Sequence, residues 1–291
     1  MKRVKCTLCG SEVFSILLTA EDYRLSTTDG KFNLVRCRRC GLVYLYPRPT
    51  KREVSKFYPQ EYYDKQNRLE KVVVKLLHDM KIKKITSFKR RGRILDVGCG
   101  SGELLSHLKE RVWEVYGVDT SEVAYKLAKR KIGQRFFNCE LKDCQFVDQY
   151  FDVITLNHVL EHMLDPNEEL RNIHRILKDD GVLLLSTPNI DSLQFKISKE
   201  KWFGIDSPRH LNIYSPKTVK LILNKNGFRI LEITYPLIDF PLDFYRSLKG
   251  KLTSVHHILV VIISPFLVAF SFLAKLWPAW RGSMSIVARK E

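Results

Sequence analysis

Four cysteines stand in two pairs near the start of the sequence. Each pair has the form Cys-x2-Cys followed by glycine, and 27 residues separate the two pairs. A two-residue spacer lets one tight turn present two thiolates, and four thiolates fill the tetrahedral coordination of Zn2+ without an open position for water. The pattern predicts a structural rather than a catalytic zinc site, with a pair of redox dithiols or chance spacing as the alternatives. The predicted ligands are Cys6, Cys9, Cys37 and Cys40.

A glycine-rich loop follows the apolar run that begins at Ile94, in the pattern Asp-x-Gly-x-Gly-x-Gly from Asp96 to Gly102. Glycine lets a ligand approach the backbone where a Cβ atom would clash, and the start of the next helix offers unpaired N–H groups. A dinucleotide fingerprint would have glycine where Glu103 stands, and that carboxylate would repel a pyrophosphate, so a nicotinamide cofactor is disfavoured. Asp119 ends the next apolar run and is suitably placed to accept both hydroxyls of a ribose.

A second group of reactive side chains consists of histidines and one glutamate. His158, Glu161 and His162 have the spacing i, i+3 and i+4, so on a helical turn they would share one face, and His210 lies in a later segment. Three interpretations stay open. One histidine acts as general base on a hydroxyl; or all four residues bind a divalent metal that polarises the acceptor oxygen; or Glu161 and His162 form a structural hydrogen-bonded pair.

The elements that must position these groups alternate in type. From Arg93 the chain reads as strand, glycine turn, helix, strand and helix, which is a βαβ unit. Of the cysteines outside the two pairs, Cys99 lies within the glycine loop, and Cys139 and Cys144 are interpreted as packing thiols in a reducing compartment.

These motifs resemble the class I S-adenosylmethionine-dependent methyltransferases from about residue 90 to the C-terminus. The resemblance rests on the Asp96–Gly102 loop, on Asp119, and on the stretches "FDVITLNHVLEHMLDP" and "LKDDGVLLLSTPN". It implies an α/β, Rossmann-like sheet of seven strands in the order 3-2-1-4-5-7-6 with helices on both faces. The implied strands begin near Arg93, Val112, Gln134, Phe151, Gly181, Phe228 and Ser283.

The resemblance also implies roles for individual residues. Asp96 and the glycines would meet the methionine part of the cofactor, Asp119 the ribose, and the turn from Cys139 to Leu141 the adenine. The implied cofactor-binding residues are Asp96, Gly98, Cys99, Gly100, Gly102, Asp119, Glu140 and Asn157. An insert at residues 189–214 would cover the acceptor pocket and bring His210 and Trp202 near it. The candidate catalytic residues are His158, Glu161, His162 and His210.

The N-terminal part resembles the zinc-bearing leader of a bacterial and archaeal subset of these methyltransferases. The predicted organisation is a zinc module at 1–60, a basic helical linker at 61–92 and a methyltransferase domain at 93–291. The formal charge is +17, and residues 65–93 hold eleven basic residues against two acidic ones. Such clustering invites an anionic partner, for example membrane headgroups, or it marks a solvated helix face.

A long apolar stretch interrupts the end of the chain. Residues 252–274 contain no acid, lysine or arginine and are long enough to cross a bilayer. A single crossing would separate the last two strands, which pair in this fold, so we expect a hydrophobic insert at 237–282. It either makes peripheral membrane contact through 252–280, where Trp277 and Trp280 suit the interface, or packs internally or against another copy.

The start of the chain has no apolar run after its basic residues, so we expect a cytoplasmic protein, peripheral on the inner face of the membrane. The sequence predicts a methyltransferase that uses S-adenosylmethionine, carries structural Zn2+ and acts on a small molecule, a sugar or a lipid-linked glycan, with O-methylation preferred. The alternatives are an RNA or tRNA methyltransferase, disfavoured because no aromatic-studded basic motif occurs, and a non-catalytic zinc-bearing membrane adaptor.

Overall fold

The computed structural model describes residues 2–58, 68–236 and 281–291. Within these residues the chain forms two sheets, one of four strands and one of seven. The strands in chain order are β1 (Phe14–Ala20), β2 (Phe32–Cys37), β3 (Val43–Tyr46), β4 (Arg93–Val97), β5 (Glu114–Val118), β6 (Phe136–Phe137), β7 (Phe151–Asn157), β8 (Leu177–Pro188), β9 (Asn212–Ile213), β10 (Phe228–Thr234) and β11 (Ser283–Lys290). The described α-helices are α1 (Lys51–Val54), α2 (Arg68–Phe88), α3 (Glu103–Lys109), α4 (Glu122–Ile132), α5 (Pro166–Ile176), α6 (Leu193–Ser198) and α7 (Pro216–Lys225).

The large sheet has the order β10-β11-β8-β7-β4-β5-β6. Numbered within this sheet alone, the strands run 3-2-1-4-5-7-6 from one edge to the other, so the predicted seven-stranded order is confirmed. Five neighbouring strands of this sheet, β6, β5, β4, β7 and β8, are parallel. The strand β11 pairs antiparallel with both β8 and β10. The carboxyl ends of β4, β5 and β7 therefore meet at one edge, which is where this sheet type binds ligands.

Three strand starts differ from the prediction. β5 begins at Glu114 and β6 at Phe136, each two residues late, whereas β8 begins at Leu177, four residues early. The early start arises because α5 ends at Ile176 and passes directly into the strand. Asp179 and Asp180, which precede the predicted strand start at Gly181, lie at the exposed start of that strand.

The small sheet has the order β1-β2-β3-β9. Its first three strands come from the cysteine-bearing N-terminal region, and its fourth comes from the segment that was predicted as an acceptor-site insert. Val43 pairs with Ile213 and Tyr44 with Asn212. Trp202 and Ile205 of the same segment belong to the buried cluster that also contains Leu34 and Leu45. The N-terminal region and the insert therefore share one sheet and one core.

Helix α2 covers the large sheet through two buried residues, Ile82 and Ile85. Two lysines of this basic segment pair with acids elsewhere, Lys84 with Glu232 and Lys89 with Asp180. The apolar stretch 252–274 and its flanking tryptophans lie outside the described residues. None of the helices in the described parts of the chain has the length and apolar character needed to span a bilayer.

Candidate active site

The glycine loop turns tightly between β4 and α3. Gly98, Gly100 and Gly102 all have positive φ, and Gly102 is the N-cap of α3. A Cβ atom at Gly98 would lie 2.5 Å from Cγ2 of Val159, so the loop packs directly on the segment that follows β7. A Cβ atom at Gly100 would have no heavy atom within 4 Å, which leaves space beside the backbone for a ligand.

Asp119 at the end of β5 fixes this loop. Its carboxylate accepts hydrogen bonds from the N–H groups of Gly100 and Ser121, both at 2.9 Å. The side chain of Asn138 donates to the Asp119 carbonyl oxygen at 2.9 Å. Burial raises the pKa of Asp119 above its ordinary value. The acid that was predicted to hold a ribose thus joins the glycine loop to the loop after β6.

Asp96 at the end of β4 is 4% exposed. One oxygen of its carboxylate accepts hydrogen bonds from the hydroxyl of Thr155 and, at 3.1 Å, from the amide of Asn157. Burial raises the pKa of Asp96 to about 6, and the hydrogen bonds from these two β7 residues only partly offset that rise. A buried carboxylate of this kind gains from a positively charged ligand group.

Two predicted cofactor residues make contacts within the protein. The thiol of Cys99 points at Gly117, where an added Cβ atom would lie only 2.7 Å from the Cys99 sulfur. The Cys99 side chain is therefore used in packing, and only the Cys99 backbone remains for a cofactor. Glu140 pairs with Lys51 at 2.5 Å and with Lys142 at 3.3 Å. The interpretation of Cys139 and Cys144 as packing thiols is wrong for this structure, because the turn around Glu140 brings the two sulfurs together as a disulfide.

A cavity of about 620 Å3 opens at the carboxyl end of β7 and β8. This volume is within the range of small-molecule sites. Its wall includes five residues singled out from the sequence, namely Asn157, His158, His162, Trp202 and His210. The described charged residues of the wall are all basic: Arg24, Lys81, Lys84 and Arg281, beside the three histidines.

His158, in the wall of this cavity, forms a hydrogen-bonded pair with the buried Glu161. The His158 Nδ1 lies 3.2 Å from Glu161 Oε1, and the Thr187 hydroxyl donates to Glu161 Oε2 at 3.0 Å. The expected regular helical turn is wrong: His158 has φ 56°, and only Leu160–His162 form a 3-10 turn. Burial alone would raise the pKa of Glu161, but the bond with His158 and the neighbouring imidazoles lower it to about 2.

The rings of His162 and His210 pack edge to face, with centroids 4.6 Å apart and an interplanar angle of 73°. The Nδ1 of His162 lies 3.0 Å from the carbonyl oxygen of Arg209 and 2.8 Å from the hydroxyl of Tyr58. The Nδ1 of His210 lies 2.8 Å from the carbonyl oxygen of Gly204. Burial is the main cause that lowers the pKa of both imidazoles, to about 4 for His162. The two rings are therefore neutral at neutral pH.

The sequence reading missed the ion network that holds this wall in place. Arg209 is fully buried and donates to Asp22 at 2.6 Å and to Asp206 at 2.6 Å. Arg24 reaches the other Asp206 oxygen at 2.8 Å and lies over the ring of Phe203 at 4.8 Å. The only sequence signal was that Arg209 precedes the predicted His210, because its partner Asp22 is 187 residues away along the chain.

The four paired cysteines lie together at the other end of the small sheet. Their sulfur atoms all lie within 4.8 Å of one another. The closest pairs cross between the two motifs, Cys6 with Cys40 and Cys9 with Cys37, each at 3.5 Å. Four sulfurs from two Cys-x2-Cys turns at this separation fit a single tetrahedral ion such as Zn2+.

Comparisons with known proteins agree with this architecture. A family model described as "Methyltransferase domain" matches residues 63–233. The chain is 31% identical over 154 residues to the ubiquinone biosynthesis O-methyltransferase of Coxiella burnetii, a match that covers 48% of this chain and 65% of that protein. It is 25% identical over 166 residues to the malonyl-[acyl-carrier protein] O-methyltransferase of Enterobacter lignolyticus, covering 56% of this chain and 65% of that protein.

Among solved structures, the chain is similar to a SAM-dependent methyltransferase from Archaeoglobus fulgidus, with a TM-score of 0.52 and 25% identity. That likeness covers 74% of this chain and 94% of the other. The chain therefore spans just under two thirds of the length of the relatives matched by sequence. It spans nearly the whole length of this structural neighbour.

Proposed function

We propose, from the premise that the chain belongs to the class I S-adenosylmethionine-dependent methyltransferases, that it methylates a hydroxyl oxygen of a small-molecule, sugar or lipid-linked glycan acceptor. The observation that carries the O-methylation proposal is the His158–Glu161 pair at the cavity beside the glycine loop. A hydroxyl acceptor needs a base because its oxygen must lose a proton as the new bond forms.

The residues around the glycine loop fit the cofactor. When bound, S-adenosylmethionine supplies a methyl group on a positively charged sulfur. The Asp119 carboxylate would accept the ribose hydroxyls, and the space beside Gly100 would admit the cofactor close to the backbone. The buried Asp96 carboxylate would face the positively charged amino-acid part. These residues bind and orient, which is the main task of a protein whose cofactor already carries a good leaving group.

His158 would take the proton from the acceptor hydroxyl. Its Nδ1 lies 3.2 Å from Glu161 Oε1, and its side chain forms part of the cavity wall. Glu161 is fully buried, and its lowered pKa keeps it ionised, so it stabilises the imidazolium that forms. Thr187 fixes the second oxygen of the carboxylate and thereby its orientation. This division of roles resembles other carboxylate–histidine pairs that accept a hydroxyl proton.

The acceptor class is a proposal supported by the relatives. Both are O-methyltransferases by name, one of ubiquinone biosynthesis and one acting on malonyl-[acyl-carrier protein]. The cavity of about 620 Å3 has apolar walls that include Trp202 and Phe203. A mostly apolar lining with a few polar groups suits a small organic acceptor rather than a polymer.

We further propose that Zn2+ binds the four cysteines in a structural role and that the protein is cytoplasmic, with peripheral membrane contact through residues 252–280. The zinc proposal is supported by the clustered sulfurs. The membrane proposal rests on the apolar sequence alone, since those residues lie outside the described part of the chain. Flotation with liposomes tests it, and a deletion of 252–274 that floats equally well would overturn it.

The function is tested by following a labelled methyl group. The protein is incubated with methyl-labelled S-adenosylmethionine and separately with phenolic quinone precursors, sugar nucleotides, lipid extract and RNA. We expect label in a hydroxyl-bearing small molecule or lipid, and a loss of about 100- to 10,000-fold in kcat for His158→Gln with unchanged cofactor affinity. His174→Gln, on α5 away from the cavity, is the matched control. Label in RNA alone would reverse the proposal, and full activity of His158→Gln would exclude this base.

A further inference from the structure

Three side chains other than the proposed base His158 converge at the acceptor cavity, whose wall includes two of them. Glu161, His162 and His210 each offer one ligand atom, and these atoms all lie within 4.8 Å of one another. They come from separate places, the 3-10 turn after β7 and the segment before β9, and the backbone joins these places where the Leu211 N–H donates to the Glu161 carbonyl at 2.8 Å. Their convergence is therefore built by the fold and not by neighbouring positions on one helix.

The hydrogen bonds of the two imidazoles decide which nitrogen carries the proton. A carbonyl oxygen can only accept, so the contacts of His162 with Arg209 O and of His210 with Gly204 O assign the proton to Nδ1 in both rings, and the Tyr58 hydroxyl then accepts from the same N–H of His162. Each Nε2 then carries the lone pair. Metal-binding histidines characteristically donate their other N–H to a carbonyl or carboxylate, which fixes the ring.

The ligand types of the cluster also suit a cation. Glu161 offers a carboxylate oxygen from a fully buried side chain, and His162 and His210 each offer an imidazole nitrogen. One carboxylate oxygen and two imidazole nitrogens form a set that a divalent first-row ion accepts, whereas Mg2+ prefers oxygen ligands alone.

We propose that Glu161, His162 and His210 bind one divalent transition ion, such as Zn2+, Mn2+ or Co2+, at a site separate from the four cysteines. His158 is not assigned to this site, because only Glu161, His162 and His210 bring their ligand atoms within 4.8 Å of one another. Three protein ligands leave coordination positions open to the cavity, so an acceptor oxygen can reach the ion. The site rests on the proposed function for its acceptor cavity and shares Glu161 with the proposed base pair, but its test measures metal binding alone, so the two proposals can fail separately.

Cobalt titration tests this site in the full chain. Metal-free protein first receives one equivalent of Zn2+ per chain, which the four thiolates take up in preference, and Co2+ is then added while the visible spectrum is recorded. We expect one equivalent of Co2+ to bind with d–d bands and without thiolate-to-cobalt charge transfer. His162→Asn and His210→Asn should each weaken this binding by at least about tenfold, while the matched control His174→Asn binds Co2+ as the wild type does.

A second measurement needs no variant and guards against a folding defect. Pulsed electron paramagnetic resonance of wild-type protein with Mn2+ should show coupling to imidazole nitrogen. The proposal is overturned if the zinc-loaded wild type takes up no further Co2+, if the only cobalt bands are those of thiolate ligands, or if bound Mn2+ shows no nitrogen coupling. Equal weakening by His174→Asn would overturn it as well.

Discussion

Replacing Asp96 with asparagine should stabilise the protein in the absence of cofactor and weaken cofactor binding. The Asp96 carboxylate is buried, and burial raises its pKa from the ordinary 3.8 to about 6. A group whose folded pKa is raised binds its proton more tightly in the folded state. Asp96 therefore costs no stability below its unfolded pKa, and the cost grows as the pH rises from about 4 to about 6.

The size of the effect follows from that interval. A difference of about 2 pKa units at 1.36 kcal/mol each gives a cost on the order of 3 kcal/mol above pH 6. Asparagine keeps an oxygen that can accept from Thr155 and Asn157, and it carries no charge. We expect Asp96→Asn to raise the free energy of unfolding by up to about 3 kcal/mol at pH 7 and to change it little at pH 4.

The assay is thermal unfolding of the wild type and the variant from pH 4 to pH 8, with and without S-adenosylmethionine. Asp148→Asn on the surface is the control, and its effect should stay within about 0.5 kcal/mol at every pH. The cofactor should stabilise the wild type more than the variant, because it brings positive charge to the buried carboxylate. A variant that is less stable than the wild type at pH 7, or that binds the cofactor equally well, would refute this reasoning.

Three further predictions concern the loop, the zinc site and the ion network. Calorimetry should show a larger loss of unfolding free energy and of cofactor affinity for Gly98→Ala than for Gly133→Ala. Both glycines have positive φ, but only a Cβ atom at Gly98 would lie against Val159. Equal losses in the two variants would count against the packing argument. Removing one zinc ligand by Cys6→Ser should lower the zinc content measured by mass spectrometry from one per chain at the cysteines toward zero and destabilise the small sheet. Arg209→Met should destabilise by about 3–5 kcal/mol in urea unfolding, because the buried carboxylates of Asp22 and Asp206 lose the guanidinium that contacts both. Adding Asp22→Asn should recover part of that loss.

The sequence predicted the large sheet and the cofactor loop because their signals are local. Apolar runs ending in Asp96 and Asp119, with glycines between them, contain within about 25 residues everything that a βαβ unit requires. The two Cys-x2-Cys motifs are local in the same sense. The prediction of a regular turn at His158 was wrong because the periodicity of side chains says nothing about a single residue with positive φ.

Contacts between distant segments could not be read in this way. The Asp22–Arg209 pair and the β3–β9 pairing each join residues separated by more than 160 positions, and no spacing rule connects them. The Cys139–Cys144 disulfide was missed for a different reason. Its five-residue separation carries no signal without the turn that brings the sulfurs together.

The ion network joins the cysteine-bearing region to the wall of the proposed acceptor cavity. Asp22 lies between β1 and β2, and Arg209 lies beside His210 at the cavity. Burial alone would raise the pKa of Asp22, but hydrogen bonds and the charge of Arg209 hold it below its ordinary value, so the pair stays ionised at neutral pH. Since β9 is also a strand of the small sheet, a displacement of that sheet must move Arg209 and, through its carbonyl, the ring of His162. A displacement of the small sheet would thus reach the histidines of the cavity wall, whereas the glycine loop and Asp119 are held by the large sheet.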